Sequence, residues 1–216
     1  MTSLDVQGAF DAAWWPSIIQ GLKDSGCPRN LYNLSKGYFN QIIAVMSTNS
    51  VSIVRNVTKG IPQESCCGPG LWNLFYNSLL KLELTSHSKA IAFSEDLIIL
   101  ATGELVVEAE NYINLEMRKI SDWAQNNKLK FNENKSNAYV SQEKKGNKEM
   151  EIYLNNKTLK QVNSTKYLEI IFDSKMTFTD HVKYVGEKCT KLIFSLSKSA
   201  KVTWGLKHEA LKTIYT

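Results

Sequence analysis

Apolar positions along the chain recur with two periods, and the changes between them mark the elements. The opening SLDV alternates as a short strand. WWPSIIQGLKDSGCP carries apolar residues at helical spacing, with Pro16 near the start and Gly26 and Pro28 as stop signals. A second helix is expected over 29–45. SVSIVRNV alternates again as a strand and runs into TKGIPQESCCGPG, a loop punctuated by Gly60, Pro62, Gly68 and Pro69. LWNLFYNSLLKLEL then returns to helical spacing.

KAIAF and LIILAT read as two strands meeting at SED, so Glu95 and Asp96 stand at the tip of a hairpin inside an otherwise apolar run. Residues 104–127 form a long helix with Leu105, Ala109, Tyr112, Ile113, Met117, Ile120 and Trp123 on its buried side. LKFN and SNAYVSQ are strand-like, with Lys135 in the turn between them. QEKKGNKEM is a polar loop, EIYLNNKTLKQV a hairpin around Asn155 and Asn156, and KYLEIIFD a further strand. TFTDHVKYVGEKCTKLIFSLSKSA and LKHEALKTIYT are helical. The order predicts an α+β fold, an antiparallel sheet backed by helices with a helical C-terminal part.

Composition adds bounds. At 216 residues and 43% hydrophobic content the chain can bury a real core. No apolar run approaches the ~20 residues that span a bilayer, and the start is no secretory signal, so an intracellular protein, nuclear or cytoplasmic and without a membrane partner, is expected. Cys27, Cys66, Cys67 and Cys189 form no C-x-x-C pattern and read as reduced thiols. Residues 1–100 carry seven charges of each sign, so the whole net charge of +5 lies in 101–216. From Asp173 onward eight lysines stand against four acids on a helical segment, the footprint of a surface facing a polyanion; a merely solvated helix face would look the same.

Buried carboxylates are costly to desolvate unless a cation is near, which makes the acidic pair in SED a question of chemistry. Asp5 ends the first strand as Glu95 and Asp96 end the strand at Phe93. If those strands are neighbours, the carboxylates can share divalent cations, and hard oxygen ligands favour Mg²⁺ or Mn²⁺. Two such ions can clamp the attacking and leaving oxygens of a phosphoryl transfer.

LDVQGAFDAAWW, KGIPQESCCGPGLWN, AFSEDLIIL, NLEMRKISDWAQNNKLKFNENKS and KYLEIIFDSKMTF stand in the order of the palm motifs of reverse transcriptases. They most resemble those of jockey-like non-LTR retrotransposons, over about residues 3–185 and weakly into a thumb. The resemblance implies a right-hand polymerase palm over 1–173 and the start of a helical thumb over 174–216. It implies an RNA-directed DNA polymerase that uses two Mg²⁺ or Mn²⁺ ions, an RNA or DNA template with its primer, and deoxynucleoside triphosphates. Asp5, Glu95 and Asp96 match the catalytic metal ligands, with the Val6 carbonyl as a further ligand. Lys135 matches the general acid for departing pyrophosphate, and Phe10 the gate that excludes a ribose 2′-OH. Gly60, Pro62 and Gln63 match the loop approached by template and nucleotide. Tyr167 and Leu168 fall in the hairpin that grips the primer, and Lys183, Lys188, Lys191 and Lys198 would face the nucleic-acid backbone. Taken alone, Asp5 would read as a cap, Phe10 as core, Lys135 as surface and KYLEIIFD as a plain strand.

The chain also departs from that family. SED replaces ADD, so Glu95 stands where an aspartate binds metal, and its extra methylene moves the carboxylate by about 1 Å, a displacement that can cost on the order of a hundredfold in rate. Glu64 and Glu169 replace glycines of the PQG loop and the primer grip. Met1 lies four residues before Asp5, so fingers, endonuclease and most of the thumb are expected to be missing. These features predict a weakly active or inactive fragment; the alternative is a non-catalytic nucleic-acid-binding remnant or the product of a decayed copy. A metal-dependent cyclase or phosphodiesterase would share the carboxylates, but it has no template or primer for the GIPQ loop and KYLEIIFD to hold.

Overall fold

The computed structural model describes residues 1–141 and 150–199. Along the chain run β1 (Thr2–Leu4), α1 (Ala9–Ala12), α2 (Trp15–Asp24), α3 (Arg29–Tyr38), β2 (Ile43–Ser47), β3 (Ser52–Asn56), α4 (Gly68–Leu80), β4 (Ser88–Phe93), β5 (Asp96–Ala101) and α5 (Val106–Asn126). There follow β6 (Asn137–Tyr139), β7 (Tyr153–Leu154), β8 (Lys157–Thr158), β9 (Lys160–Val162), β10 (Ser164–Tyr167), β11 (Ile170–Asp173) and α6 (Thr179–Ser199). The elements through β9 form one compact unit and those from β10 onward a second.

In the first unit five strands make a sheet in the order β4-β5-β1-β6-β9, antiparallel except where β6 and β9 run side by side in parallel. β5 lies between β4 and β1, and Leu97, Ile98 and Ile99 are all buried, which is why this strand reads as a continuous apolar run. α4 buries Leu71, Trp72, Phe75, Tyr76 and Leu79, and α5 buries Ile113, Met117, Ile120 and Trp123 at steps of four, three and three residues. The Trp123 indole joins the two helices, donating to Ser78 Oγ at 3.0 Å and lying edge-on to Tyr76.

Local chemistry explains several turns. Asn155 and Asn156 both adopt positive φ (50° and 64°), the left-handed pair that a two-residue hairpin between β7 and β8 needs and that Asn tolerates. The second unit repeats the device less comfortably: Leu168 and Glu169 carry φ of 47° and 66° between β10 and β11. KYLEIIFD is therefore a hairpin rather than one strand, and α6 packs beside β11.

Three other expectations are corrected. The helix expected over 29–45 stops at Tyr38; Gln41 turns at φ 54° and Ile43–Ser47 pairs with β3 instead, because β-branched Ile43 and Val45 find strand partners in Asn56 and Val54. Leu105 is not on the buried side of α5. It precedes the helix and is exposed, its N–H donating to the Glu108 carboxylate at 3.2 Å. LKFN contributes only a bridge between Phe131 and Val6. The polar loop at 142–149 and the helix expected from 206 lie outside the described residues. Cys27, Cys66, Cys67 and Cys189 are free, and among the described residues no helix is long and apolar enough to cross a membrane.

Candidate active site

β1 and β5 pair with Leu4 opposite Leu97. Carrying that register one residue further sets Asp5 opposite Asp96, and two residues further sets Val6 opposite the turn residue Glu95. Directly opposed residues share a face of the sheet, so Asp5 and Asp96 lie side by side at one strand end. Burial and the neighbouring Glu95 and Asp5 carboxylates push the Asp96 carboxyl above its ordinary value.

The backbone around Asp5 is held from the β6 side. The Asp5 N–H donates to Ser136 Oγ (3.1 Å), the Asp5 carbonyl accepts from Asn132 N–H (2.8 Å), and Gln7 N–H donates to the Lys130 carbonyl (2.9 Å). In this bridge pattern Val6 and Phe131 point their own N–H and C=O groups away from each other, which leaves the Val6 carbonyl on the side of β5. Lys135 is exposed in the turn immediately before Ser136, so the residue that fixes Asp5 also tethers the turn that carries the lysine.

On the adjoining side, Ser94 takes φ 52° to make the two-residue turn between β4 and β5, and its hydroxyl donates to the Glu95 carboxylate. Its carbonyl accepts the indole N–H of Trp72 at 2.8 Å. Trp72 also stacks on Phe10, with centroids 5.4 Å apart and planes at 25°, and Phe10 is half-buried against the core. The loop of Gly60, Pro62 and Gln63 is sewn to the same region: Ile61 N–H donates to the Phe10 carbonyl (2.8 Å), Gly60 N–H to the Ala13 carbonyl (2.7 Å), and Trp15 Nε1 to the Gly60 carbonyl (2.7 Å). Gly60 has φ 99°, and a Cβ there would come within 3.2 Å of the Asp11 carbonyl oxygen. Pro62 and Gln63 are exposed. Glu64, beside them, holds φ 59° and is one of two glutamates among the described residues in a left-handed conformation. Glu169 is the other.

In the second unit Tyr167 is half-buried on β10 and Leu168 exposed at the turn. Lys183, Lys188, Lys191 and Lys198 all lie exposed on α6, but Lys188 is engaged, its ammonium 3.4 Å from the Glu169 carboxylate.

Asp5, Val6, Glu95 and Asp96 thus meet at one end of the sheet, Phe10 and the Gly60 loop are joined by backbone bonds, and Lys135 hangs from the turn that anchors Asp5. The carboxylates do not form a preassembled cage: among the described residues no three His, Cys, Asp or Glu side chains are gathered as ion ligands. Sequence reasoning missed the residues that position this end, Trp72, Trp15 and Ser136. Trp72 had a signal, since 72, 75, 76 and 79 form the buried stripe of α4, but nothing local announces its bond to Ser94.

A mainly antiparallel sheet backed by helices, with acids at the ends of adjacent strands, is the arrangement of a palm-type polymerase fold. The chain belongs to the reverse transcriptase (RNA-dependent DNA polymerase) family, which matches residues 1–189. It is similar to the putative 115 kDa protein in type-1 retrotransposable element R1DM of Drosophila melanogaster, 26% identical over 99% of this chain and 21% of that protein. The RNA-directed DNA polymerase from mobile element jockey of the same species is 24% identical over 98% of the chain and 24% of its own length. The Pol polyprotein from type-1 retrotransposable element R1 2 of Nasonia vitripennis is 31% identical over 70% of the chain and 38% of its length. The chain spans about a fifth to a quarter of the first two of these relatives.

Proposed function

We propose that this chain is the palm, over 1–173, and the start of the thumb, over 174–216, of an RNA-directed DNA polymerase of the non-LTR retrotransposon type. Its reaction is attack of a primer 3′-OH on the α-phosphate of a deoxynucleoside triphosphate, templated by RNA or DNA, with release of pyrophosphate. The observation that supports this reading is the register of β1 on β5, which ends with Leu4 opposite Leu97 and, continued by one residue, brings Asp5 beside Asp96.

These hard oxygen donors, with the Val6 carbonyl, suit Mg²⁺ or Mn²⁺, and the Asp96 carboxyl, raised first by burial and then by Glu95 and Asp5, has acidic neighbours with which a cation could be shared. When bound, such ions supply Lewis acidity at the phosphate and at the attacking and leaving oxygens. Asp5 and Asp96, at the ends of two adjacent strands, would hold such ions. Phe10, braced on Trp72, occupies the space a ribose 2′-OH would need. Gly60, Pro62 and Gln63 let template and nucleotide approach backbone. Lys135 gives a proton to the departing pyrophosphate. Tyr167 and Leu168 hold the primer end, and Lys183, Lys188, Lys191 and Lys198 meet the phosphate backbone.

A second reading, a nucleic-acid-binding remnant without catalysis, is favoured by one observation: among the described residues no three His, Cys, Asp or Glu side chains are gathered as ion ligands. Primer extension separates the two. Residues 1–189 are exchanged into the corresponding region of the jockey polymerase and assayed with Mg²⁺ and Mn²⁺. Slow extension abolished by Asp5→Asn supports the polymerase. No extension, even after Glu95→Asp, Glu64→Gly and Glu169→Gly are combined, rejects it.

A further inference from the structure

Three donors converge on the exposed carboxylate of Glu169. Lys166 Nζ lies 2.8 Å from Oε1, while Lys188 Nζ and the Tyr184 hydroxyl lie 3.4 Å and 3.2 Å from Oε2. Lys166 Nζ also donates to the Tyr184 hydroxyl at 3.1 Å, and both ammoniums sit over the Tyr184 ring, 4.9 and 5.0 Å from its centroid. The donors come from different elements: Lys166 from β10, Tyr184 and Lys188 one helical turn apart on α6. Two ammoniums repel one another, so what they share is attraction to an anion and to the ring face.

Glu169 reaches this position from φ 66°, where a glycine would be unstrained and a glutamate is not. Its charge is therefore placed among the lysines at a backbone cost that a glycine would not incur. The arrangement of two ammoniums and a hydroxyl around one pair of oxygens is also what a phosphate group requires.

We propose that Lys166, Tyr184 and Lys188 form an anion site for a phosphate group, and that Glu169 is its built-in competitor, an intramolecular carboxylate standing where phosphate oxygens would bind. The site itself stands on the geometry of the β10–β11 hairpin and α6. Only the naming of a nucleic-acid phosphodiester as its source rests on the polymerase reading. The lowered Tyr184 phenol, beside Lys188 and Lys166, accords with a site that prefers negative charge. While Glu169 occupies the site, two of the cations on this surface are neutralised internally, and nucleic acid must displace it to use them.

The test uses the full chain and Glu169→Gln, which keeps the shape and removes the charge, with Glu169→Gly as a second form that also relieves the turn. Glu187→Gln, on the same helix but outside the cluster, controls for the added net charge. Inorganic phosphate is titrated while the ammonium signals of Lys166 and Lys188 are followed by NMR, and a short RNA–DNA duplex is titrated by fluorescence anisotropy. Glu169→Gln should bind the duplex roughly tenfold more tightly than wild type at low salt. Its log–log salt slope should steepen by about one to two, close to one for each additional phosphate that a lysine neutralises. Adding Lys166→Ala and Lys188→Ala should erase the gain. A response of both lysine signals to phosphate without tighter duplex binding supports the site and assigns it to free phosphate. The proposal is overturned if neither probe responds, if Glu187→Gln gives the same gain, or if the gain survives loss of both lysines. None of these outcomes depends on primer extension, so failure of the polymerase reading would be seen separately.

Discussion

The indole N–H of Trp72 donates to the carbonyl oxygen of Ser94 at 2.8 Å, tying α4 to the turn that presents Glu95. The same ring stacks on Phe10 and, at 5.0 Å, on Tyr76, so one fully buried side chain registers the acidic turn against the residue assigned to the sugar. Trp72→Phe keeps an aromatic ring and removes the donor. The Ser94 carbonyl then loses its partner and the ring leaves unfilled space, together costing about 2–4 kcal/mol in urea denaturation. Removing the Phe10 ring instead, by Phe10→Leu, should cost less, since Phe10 is only half-buried. Equal losses in the two variants would deny Trp72 this bracing role.

Glu64 at φ 59° gives an expectation opposite in sign. Glu64→Gly should stabilise the chain by about 1 kcal/mol because glycine meets no Cβ penalty in the left-handed region, whereas Glu64→Ala should gain nothing. Chemical denaturation of the two variants distinguishes backbone strain from side-chain charge: an equal gain from alanine would mean that the charge, not φ, is what matters.

Gly60 is constrained twice, by φ 99° and by the Asp11 carbonyl 3.2 Å from where a Cβ would stand. Gly60→Ala should cost at least about 1–3 kcal/mol. It should also loosen the Trp15 bond to the Gly60 carbonyl, seen as a red shift of tryptophan emission before global unfolding. A variant as stable as wild type would show that the loop is free to move away from Asp11.

What the sequence made legible was local. SED between two apolar strands, Asn155–Asn156 in a hairpin and Pro16 opening α2 each carry their signal within a few residues, and the fold keeps all three. Pairings between distant segments were not legible. Nothing in KQV announces that β9 runs parallel to β6, and the exposed Ile43, Val45 and Met46 look like the continuation of a helix until β3 pairs with them. Glu116 is the sharpest case. A glutamate among apolar residues at helical spacing reads as an error in the pattern, yet it is fully buried in α5, accepting from Thr85 N–H at 2.8 Å with Lys119 at 3.0 Å. Only the loop before β4, 31 residues away, explains it. At the candidate site the motif order supplied the candidate residues, while the bonds around them, from Trp72, Trp15 and Ser136, are visible only in three dimensions.

Asp96 predicts a pH dependence. Its carboxyl is raised by burial and by Glu95 and Asp5, so the folded state binds its proton more tightly than the unfolded chain does. The sign follows: ionised Asp96 opposes folding, and stability is lost as pH rises through the raised value. Asp96→Asn should therefore melt above wild type at neutral pH, with the gap closing as pH falls below the ordinary carboxylate range. A gap that is independent of pH would assign the effect to packing instead.

The same crowding should be reversible by divalent cations. If Asp5, Glu95 and Asp96 form one cation site, millimolar Mn²⁺ should raise the melting temperature of wild type by mass action, and Asp5→Asn and Asp96→Asn should each abolish most of that rise. Asp96→Asn would then melt above wild type without the ion and below it at saturation, a crossing that general ionic screening cannot produce. Glu95 enters differently, because it stands on the turn, one methylene longer than aspartate and bonded by Ser94 Oγ. Glu95→Asp shortens the reach and weakens that bond, so it should strengthen the Mn²⁺ response and, within the jockey exchange protein, raise extension by roughly tenfold or more, about 1.4 kcal/mol of transition-state stabilisation. Ser94→Ala should give part of the same gain by releasing the Glu95 carboxylate. Equal thermal shifts in wild type and Asp5→Asn would remove the cation site. A full thermal response with extension unchanged by Glu95→Asp would keep the site and place the loss of rate elsewhere, with Glu64→Gly as the next variant to assay.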